Sequence, residues 1–336
     1  MTTSSDPRAS TPDRYRQFAQ VEARGISACY VEWASGVADD PRILALIDRL
    51  PASKRHPTLV FSAARFCGAA PASYVEFAGF LSAHWLEVEA VCLTHDTQTN
   101  EAGRCATLLP ALAALSGPLA LIEVGASAGL CLHPDRYSYR YRSDDGSERL
   151  LHPARGPSSV VLECSVSGAV PIPPRLPEVV WRAGIDLNPL DVHSAEDVEW
   201  LEALIWPEHE DRRLRLRAAI ELARRETVEI VRGDLNEQLA ALVARAPAHA
   251  TIVVFHTAVL LYLDDEAKRR FREQLAALPV HWLSNESQGV VPGIAELLSA
   301  MAGALPTAAS DFVLALDGEP LDFTQPHGRS LHWLET

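Results

Sequence analysis

Hydrophobic residues along the first hundred positions recur at helical rather than strand spacing. Phe18, Val21 and Ile26 fall near a 3.6-residue period, as do Ile43, Leu46, Ile47 and Leu50, while Pro51, Pro57, Pro71 and Pro110 punctuate the pattern. No run alternating between apolar and polar residues stands out before Pro118. The pattern predicts a helical N-terminal module over residues 1–117, with residues 1–10, rich in Ser, Thr and Pro, as a disordered start.

At Leu119-Ala120-Leu121-Ile122-Glu123-Val124 the texture changes. A short apolar run, the turn Gly125-Ala126-Ser127-Ala128-Gly129, and then Leu130-Cys131-Leu132 predict strand, turn and helix. Residues Arg136 to Arg142, with Tyr137, Tyr139 and Tyr141 alternating, predict another strand. Residues 143–178 are rich in proline and glycine and read as an irregular hairpin insertion. Val179-Val180-Trp181 leads to Gly184-Ile185-Asp186, and a long charged helical stretch runs from Ser194 to Arg225. Strands at 228–231, 251–255 and 280–284 then alternate with helices to Arg245, over 264–277 and over 293–302. Phe312–Leu316 and Ser330–Trp333 predict a closing hairpin around Asp317-Gly318. The fold expected is α/β: over residues 118–336, a doubly wound, mostly parallel Rossmann-like sheet covered on both faces.

Composition narrows the partners. The 336 residues are 48% hydrophobic and 22% charged, an ordinary globular balance, with a formal net charge of −14. A phosphate backbone rewards Lys and Arg, so the acidity argues against general nucleic-acid binding and for a small molecule or a protein as substrate, and a small molecule is the substrate expected. Six cysteines lie far apart, the closest pair being Cys92 and Cys105, and no His, Asp and Cys cluster has metal-site spacing. The first residues lack a basic and apolar leader pattern, and no apolar run is long enough for a bilayer, so a cytoplasmic location without a membrane partner is expected. The pattern leaves the oligomeric state open.

Three chemistries compete for the glycine turn. A dinucleotide site wants three glycines, and Gly125 and Gly129 lack a third. Gly125-Ala126-Ser127-Ala128-Gly129 matches the Gly-x-Ser-x-Gly elbow of serine hydrolases, and Asp317 and His327 follow in the right chain order, although no strands are predicted upstream of this elbow. Class I methyltransferases that bind S-adenosylmethionine place an acidic residue two positions before the first glycine, as Glu123 stands before Gly125. Small residues there let the backbone wrap a methionine moiety, and carboxylates favour a cationic sulfonium. Asp186, positioned to grip ribose hydroxyls, and Asp234 with Leu235, positioned at the adenine edge, end successive strands. Each acid also suits a helix N-cap. A protein that binds such a cofactor or a metabolite without catalysis is the third class.

Asn100, Glu101 and Arg104 precede the first strand, either as a cap with an ion pair or facing the cofactor, Arg104 then pairing a carboxylate. His256 ends a strand, either at the address of a general base or as a buried, hydrogen-bonded histidine, and Asn285 with Glu286 ends the next, as substrate ligands or as caps. Trp181, Trp282 and Trp333 read as core.

Four segments together resemble the bacterial domain-of-unknown-function family 2332. They are Gln98-Thr99-Asn100-Glu101-Ala102-Gly103-Arg104-Cys105, Glu123 to Leu130, Gly184-Ile185-Asp186-Leu187-Asn188-Pro189, and Pro326-His327-Gly328. The resemblance implies a methyltransferase-like Rossmann fold with a helical N-terminal part, and no established reaction.

Overall fold

The computed structural model describes residues 10–98, 100–300 and 312–334. The chain divides into two units, one formed by Met1–Thr99 with His193–Leu214 and the other by Asn100–Val192 with Arg215–Thr336.

The first unit is helical. Its helices are α1 (Thr11–Gln17, prolonged by a wider turn to Glu22), α2 (Ala28–Asp39), α3 (Pro41–Ile47), α4 (Pro57–Phe66) and α5 (Tyr74–Thr94). Their starts follow from local chemistry: Ser10, Ser27 and Asp40 accept amide hydrogen bonds at the first three, and Ser73 with Glu76 forms a capping box on α5. Proline in the first turns of α1, α3 and α4 occupies positions whose amide has no helical partner. Trp33 stacks on Phe77 at 3.9 Å between centroids, with Tyr30, Phe61 and Phe18 around them.

The unit takes in α7 (Ala195–Ala203), which packs on α4, and Arg65 donates to the carbonyls of Ala203 and Ile205. The stretch read as one long helix is therefore two, α7 and α8 (Glu210–Ala223), with Pro207 between them. The residues up to 214 belong to the first unit.

The helix α6 (Cys105–Ala114), read as part of the N-terminal module, belongs to the second unit. It is buried on every side from Cys105 to Leu112 because it lies on a sheet, touching three of its strands.

Among the described residues that sheet has eleven strands. They are β1 (Leu119–Val124), β2 (Ser138–Ser143), β3 (Glu148–Leu151), β4 (Val161–Ser167), β5 (Val179–Asp186), β6 (Glu229–Arg232), β7 (Thr251–Thr257), β8 (His281–Ser287), β9 (Phe312–Leu316), β10 (Glu319–Thr324) and β11 (Ser330–Trp333). Their order is β3-β2-β4-β11-β10-β9-β8-β7-β1-β5-β6. Strands β6, β5, β1, β7 and β8 run parallel, and β9 joins β8 antiparallel. The architecture is thus mixed α/β with a mostly parallel sheet.

Strand alternation sorts the side chains onto two faces. Glu123 pairs with Phe255, Thr257 with Asn285, Asn285 with Leu314, and Leu314 with Asp322, which puts these residues on the face that α6 covers. Ile122, Val124, Val254 and Phe323 point the other way, into a core with α9 (Leu235–Val243), α10 (Asp265–Ala277) and α11 (Ile294–Ala300).

Three local expectations change. No α-helix follows the glycine turn: the chain makes one 3₁₀ turn, Leu130–Leu132, and enters β2. The proline- and glycine-rich insertion supplies β3 and β4, which extend the sheet. The closing hairpin is a three-stranded meander, with Asp317-Gly318 joining β9 to β10 and β11 following. Of the start read as disordered, residues 1–9 lie outside the described residues and Ser10 caps α1; the part of the last helix past residue 300 also lies outside them.

Candidate functional site at the C-terminal edge of the sheet

Strand order reverses at β1. The chain places β5 and β6 on one side and β7 and β8 on the other. In open parallel sheets the crevice beyond the carboxyl ends at such a reversal is where ligands bind. Here that crevice is bounded by the glycine turn after β1 and by the segment that leaves β7.

The turn is held from three sides. The amides of Gly125 and Ala126 donate to the carbonyl of Ile185 at 2.8 and 3.1 Å. Asn100 clasps both ends, donating from Nδ2 to the Ala126 carbonyl at 3.1 Å and accepting from the Leu130 amide at 2.8 Å. Asp186, at the end of β5, accepts from the Ser127 amide at 2.8 Å through one oxygen and from the Asn188 amide at 2.8 Å through the other. Gly125, Ser127 and Gly129 all take left-handed backbone angles, with φ of 70°, 50° and 72°. For Ser127 this conformation is costly, and the Asp186 bond to its amide helps to impose it.

Gly125 has a second reason to be glycine. A Cβ there would lie 2.4 Å from Cγ2 of Val259, the second residue after β7. Val259 therefore covers the turn.

Glu123 sits beneath it, 2% exposed, and its Oε2 has no hydrogen-bond partner. Burial pushes its carboxyl well above the usual range; the neighbouring Cys131 adds to this, while Arg104 pulls it back. The Ser127 hydroxyl is likewise buried without a partner.

Arg104 braces the edge. Its Nε donates to the Pro326 carbonyl at 2.9 Å, and its Nη1 donates to the carbonyl and hydroxyl of Thr257 at 3.1 and 2.9 Å. It ties β7 to the turn between β10 and β11, a role distinct from both the ion pair with Glu101 and the ligand carboxylate that the sequence suggests. Glu101 accepts from the Gly103 amide at 3.0 Å and from Arg215 at 2.9 Å. Thr99 lies outside the described residues. Asp234 caps α9, accepting from the Asn236 amide at 2.7 Å, and Leu235 is buried in the α9 core.

His256 and Glu286 lie on the opposite face of the sheet from Glu123, both buried. The indole N–H of Trp282 donates to His256 Nε2 at 2.9 Å. An indole only donates, so this bond fixes the tautomer: Nδ1 carries the proton and donates it to Glu286 Oε1 at 2.7 Å. Both ring nitrogens are engaged, which leaves the imidazole no lone pair for a substrate. Glu286 Oε1 also accepts from the amides of Val259 and Leu260 at 2.8 and 3.0 Å, while Oε2 is buried without a partner. Asn285 accepts from the Thr324 hydroxyl at 2.7 Å.

The hydrolase constellation is not assembled. Asp317 accepts from the Trp282 amide at 2.8 Å and bonds His281 at 2.7 Å, at the start of β8. That is the edge of the sheet opposite to Ser127. His327 lies in the turn between β10 and β11, near Gly103. The sequence marks the segments that hold Thr257, Val259 and Pro326 but not the contacts these residues make, which come from partners far along the chain.

Among the described residues no three His, Cys, Asp or Glu side chains converge as a metal site, and no helix is long and apolar enough to cross a membrane. No curated protein matches the chain. The model of a family described as an uncharacterized protein conserved in bacteria, domain-of-unknown-function family 2332, matches residues 12–333. With nearly its whole length covered, including every residue of the edge just described, the chain belongs to that bacterial family.

Proposed function

We propose that the chain binds S-adenosylmethionine at the crevice between β1 and β7, in a methyltransferase-type Rossmann arrangement, and passes the methyl group to a small molecule. The observation that carries this reading is Glu123, a buried carboxyl with a partnerless oxygen under a left-handed glycine turn, at the point where strand order reverses. A buried acceptor without a donor costs about 1–3 kcal/mol, which a donor-bearing cation would offset. The Ser127 hydroxyl beside it supports the same ligand chemistry, as does the net charge of −14.

When bound, the cofactor supplies a methyl group activated by a sulfonium. Glu123 and Ser127 would hold its polar end. Asn100 and Asp186 keep the turn in shape, and Asp186 could take ribose hydroxyls only by sharing oxygens that already accept two amides. His256 offers no free nitrogen, so the acceptor fitting this edge is one that reacts without an imidazole base, such as a thiolate or a neutral amine.

Calorimetric titration and thermal denaturation with S-adenosylmethionine and S-adenosylhomocysteine test the reading. Both ligands should bind and raise the melting temperature by mass action, and Glu123→Gln and Ser127→Ala should weaken them. No heat and no shift at millimolar ligand would refute it. Binding without methyl transfer to any small molecule would leave a cofactor-binding protein and remove the enzyme.

A further inference from the structure

The residues that leave β7 do more than cover the glycine turn. Ala258 is one of three non-glycine residues with a left-handed φ among those described, at 59°. Its amide donates to the Asn285 carbonyl at 3.0 Å. Val259 then lays its methyl groups where a Cβ of Gly125 would stand. Glu286 Oε1 accepts the Val259 and Leu260 amides, and His256, itself pinned by Trp282, holds that carboxylate in place. Leu260 is fully buried in the core on the α10 side, whereas Ala258 and Val259 are only partly buried and Tyr262 is 64% exposed.

An anchored Leu260, a strained Ala258 and a side chain filling the ligand crevice describe a two-residue gate. We propose that Ala258-Val259 opens and closes access to the glycine turn, hinged on Leu260, with Glu286 and His256 as the positioning residues that hold it shut. This rests on the reading that the turn takes a ligand. Opening releases the Val259 amide from Glu286, the Ala258 amide from the Asn285 carbonyl and the Tyr262 amide from the Val259 carbonyl, and it lets Ala258 leave its left-handed angle. Val259 packs against the edge of that core, so opening withdraws its methyl groups, while Leu260 and the fully buried side chains stay in place. The left-handed strain at Ala258 favours the open state and the Glu286 charge favours the closed one, so the balance between them is set locally.

The test has two arms on the full chain. Without ligand, native-state amide exchange by NMR should show the Val259 amide exchanging at least about tenfold faster than those of Leu260 and Phe255, through local opening. Glu286→Gln, which keeps an acceptor oxygen but not its charge, should speed Val259 further while Phe255 is unchanged. If Val259 exchanges in step with Leu260 and Phe255, there is no gate. With ligand, stopped-flow binding of S-adenosylmethionine to Val259→Ala should show an association rate several-fold above that of the unaltered chain, and an unchanged rate overturns the proposal. A chain that fails to bind S-adenosylmethionine yet shows the Val259 opening would refute the cofactor assignment alone.

Discussion

Gly125→Ala is the sharpest test of the crevice geometry. The new methyl group would meet Val259 at 2.4 Å from Cγ2, 3.0 Å from Cγ1 and 3.3 Å from Cβ. Overpacking of this kind costs about 1–3 kcal/mol. The φ of 70° adds about 1–2 kcal/mol for any residue with a side chain. The single substitution should therefore destabilise by about 2–5 kcal/mol.

Val259→Ala alone removes two partly buried methyl groups and should cost about 1–2 kcal/mol. In the double variant both Cγ atoms are gone and only the 3.3 Å approach to Cβ remains, which a shift of a few tenths of an ångström relieves. The steric part of the Gly125→Ala cost should vanish and the backbone part should stay. A coupling energy of about 1–3 kcal/mol in favour of the double variant follows. Urea denaturation of the four chains measures it as differences in ΔG. Additivity within about 0.5 kcal/mol would show that Val259 does not fill the space at Gly125.

Asp322 is fully buried with neither oxygen partnered, and burial alone drives its carboxyl well above the usual range. Its raised folded-state value makes ionisation unfavourable in the fold, so stability is full below the unfolded carboxyl range near 3.9 and declines as pH rises from there toward the folded value. Asp322→Asn should thus raise stability at pH 7 by about 1–3 kcal/mol and flatten the pH dependence of the melting temperature; a less stable variant would refute this. Glu123 carries the same sign, so Glu123→Gln should hold or raise the melting temperature near neutrality while weakening the cofactor; a variant that loses stability and keeps full affinity would sink both assignments. Asn100→Ala strips a donor from the Ala126 carbonyl and an acceptor from the Leu130 amide, both on buried residues, and should cost about 1–3 kcal/mol in urea denaturation, whereas a loss below about 0.5 kcal/mol would show that water replaces the clasp.

The elements legible in the sequence are those whose pattern is local. The run Leu119–Val124 is apolar at all but one position because β1 is buried from end to end, and it stands as a strand over that same span. Strands β6, β7 and β8 show through the strand–helix alternation in the same way. Strands β3, β4 and β10 hid behind prolines, glycines and the acids Glu319 and Asp322, since a buried, partnerless aspartate breaks the pattern that marks a core strand. At the site, the turn and its acids were visible, but their partners were not. Arg104 meets Pro326 222 positions away, and Ser127 meets Asp186 59 positions away. Local pattern predicts that Asp186 ends a strand, and only the parallel pairing of β1 with β5 puts its carboxylate against the turn.

The place of β11 bears on how this chain is made. Strand β11 lies between β10 and β4, paired with both, and among the described residues no other strand links β3-β2-β4 to the remaining seven. Until residues 330–333 leave the ribosome, β4 keeps an unpaired edge for more than a hundred and fifty positions of synthesis. The Pro326 carbonyl, and with it the Arg104 brace, is made only shortly before β11. A chain cut just before β11 should be left with two separate sheets and two adhesive edges. Folding should be slow, as for any topology whose decisive contact joins residues about half the chain apart.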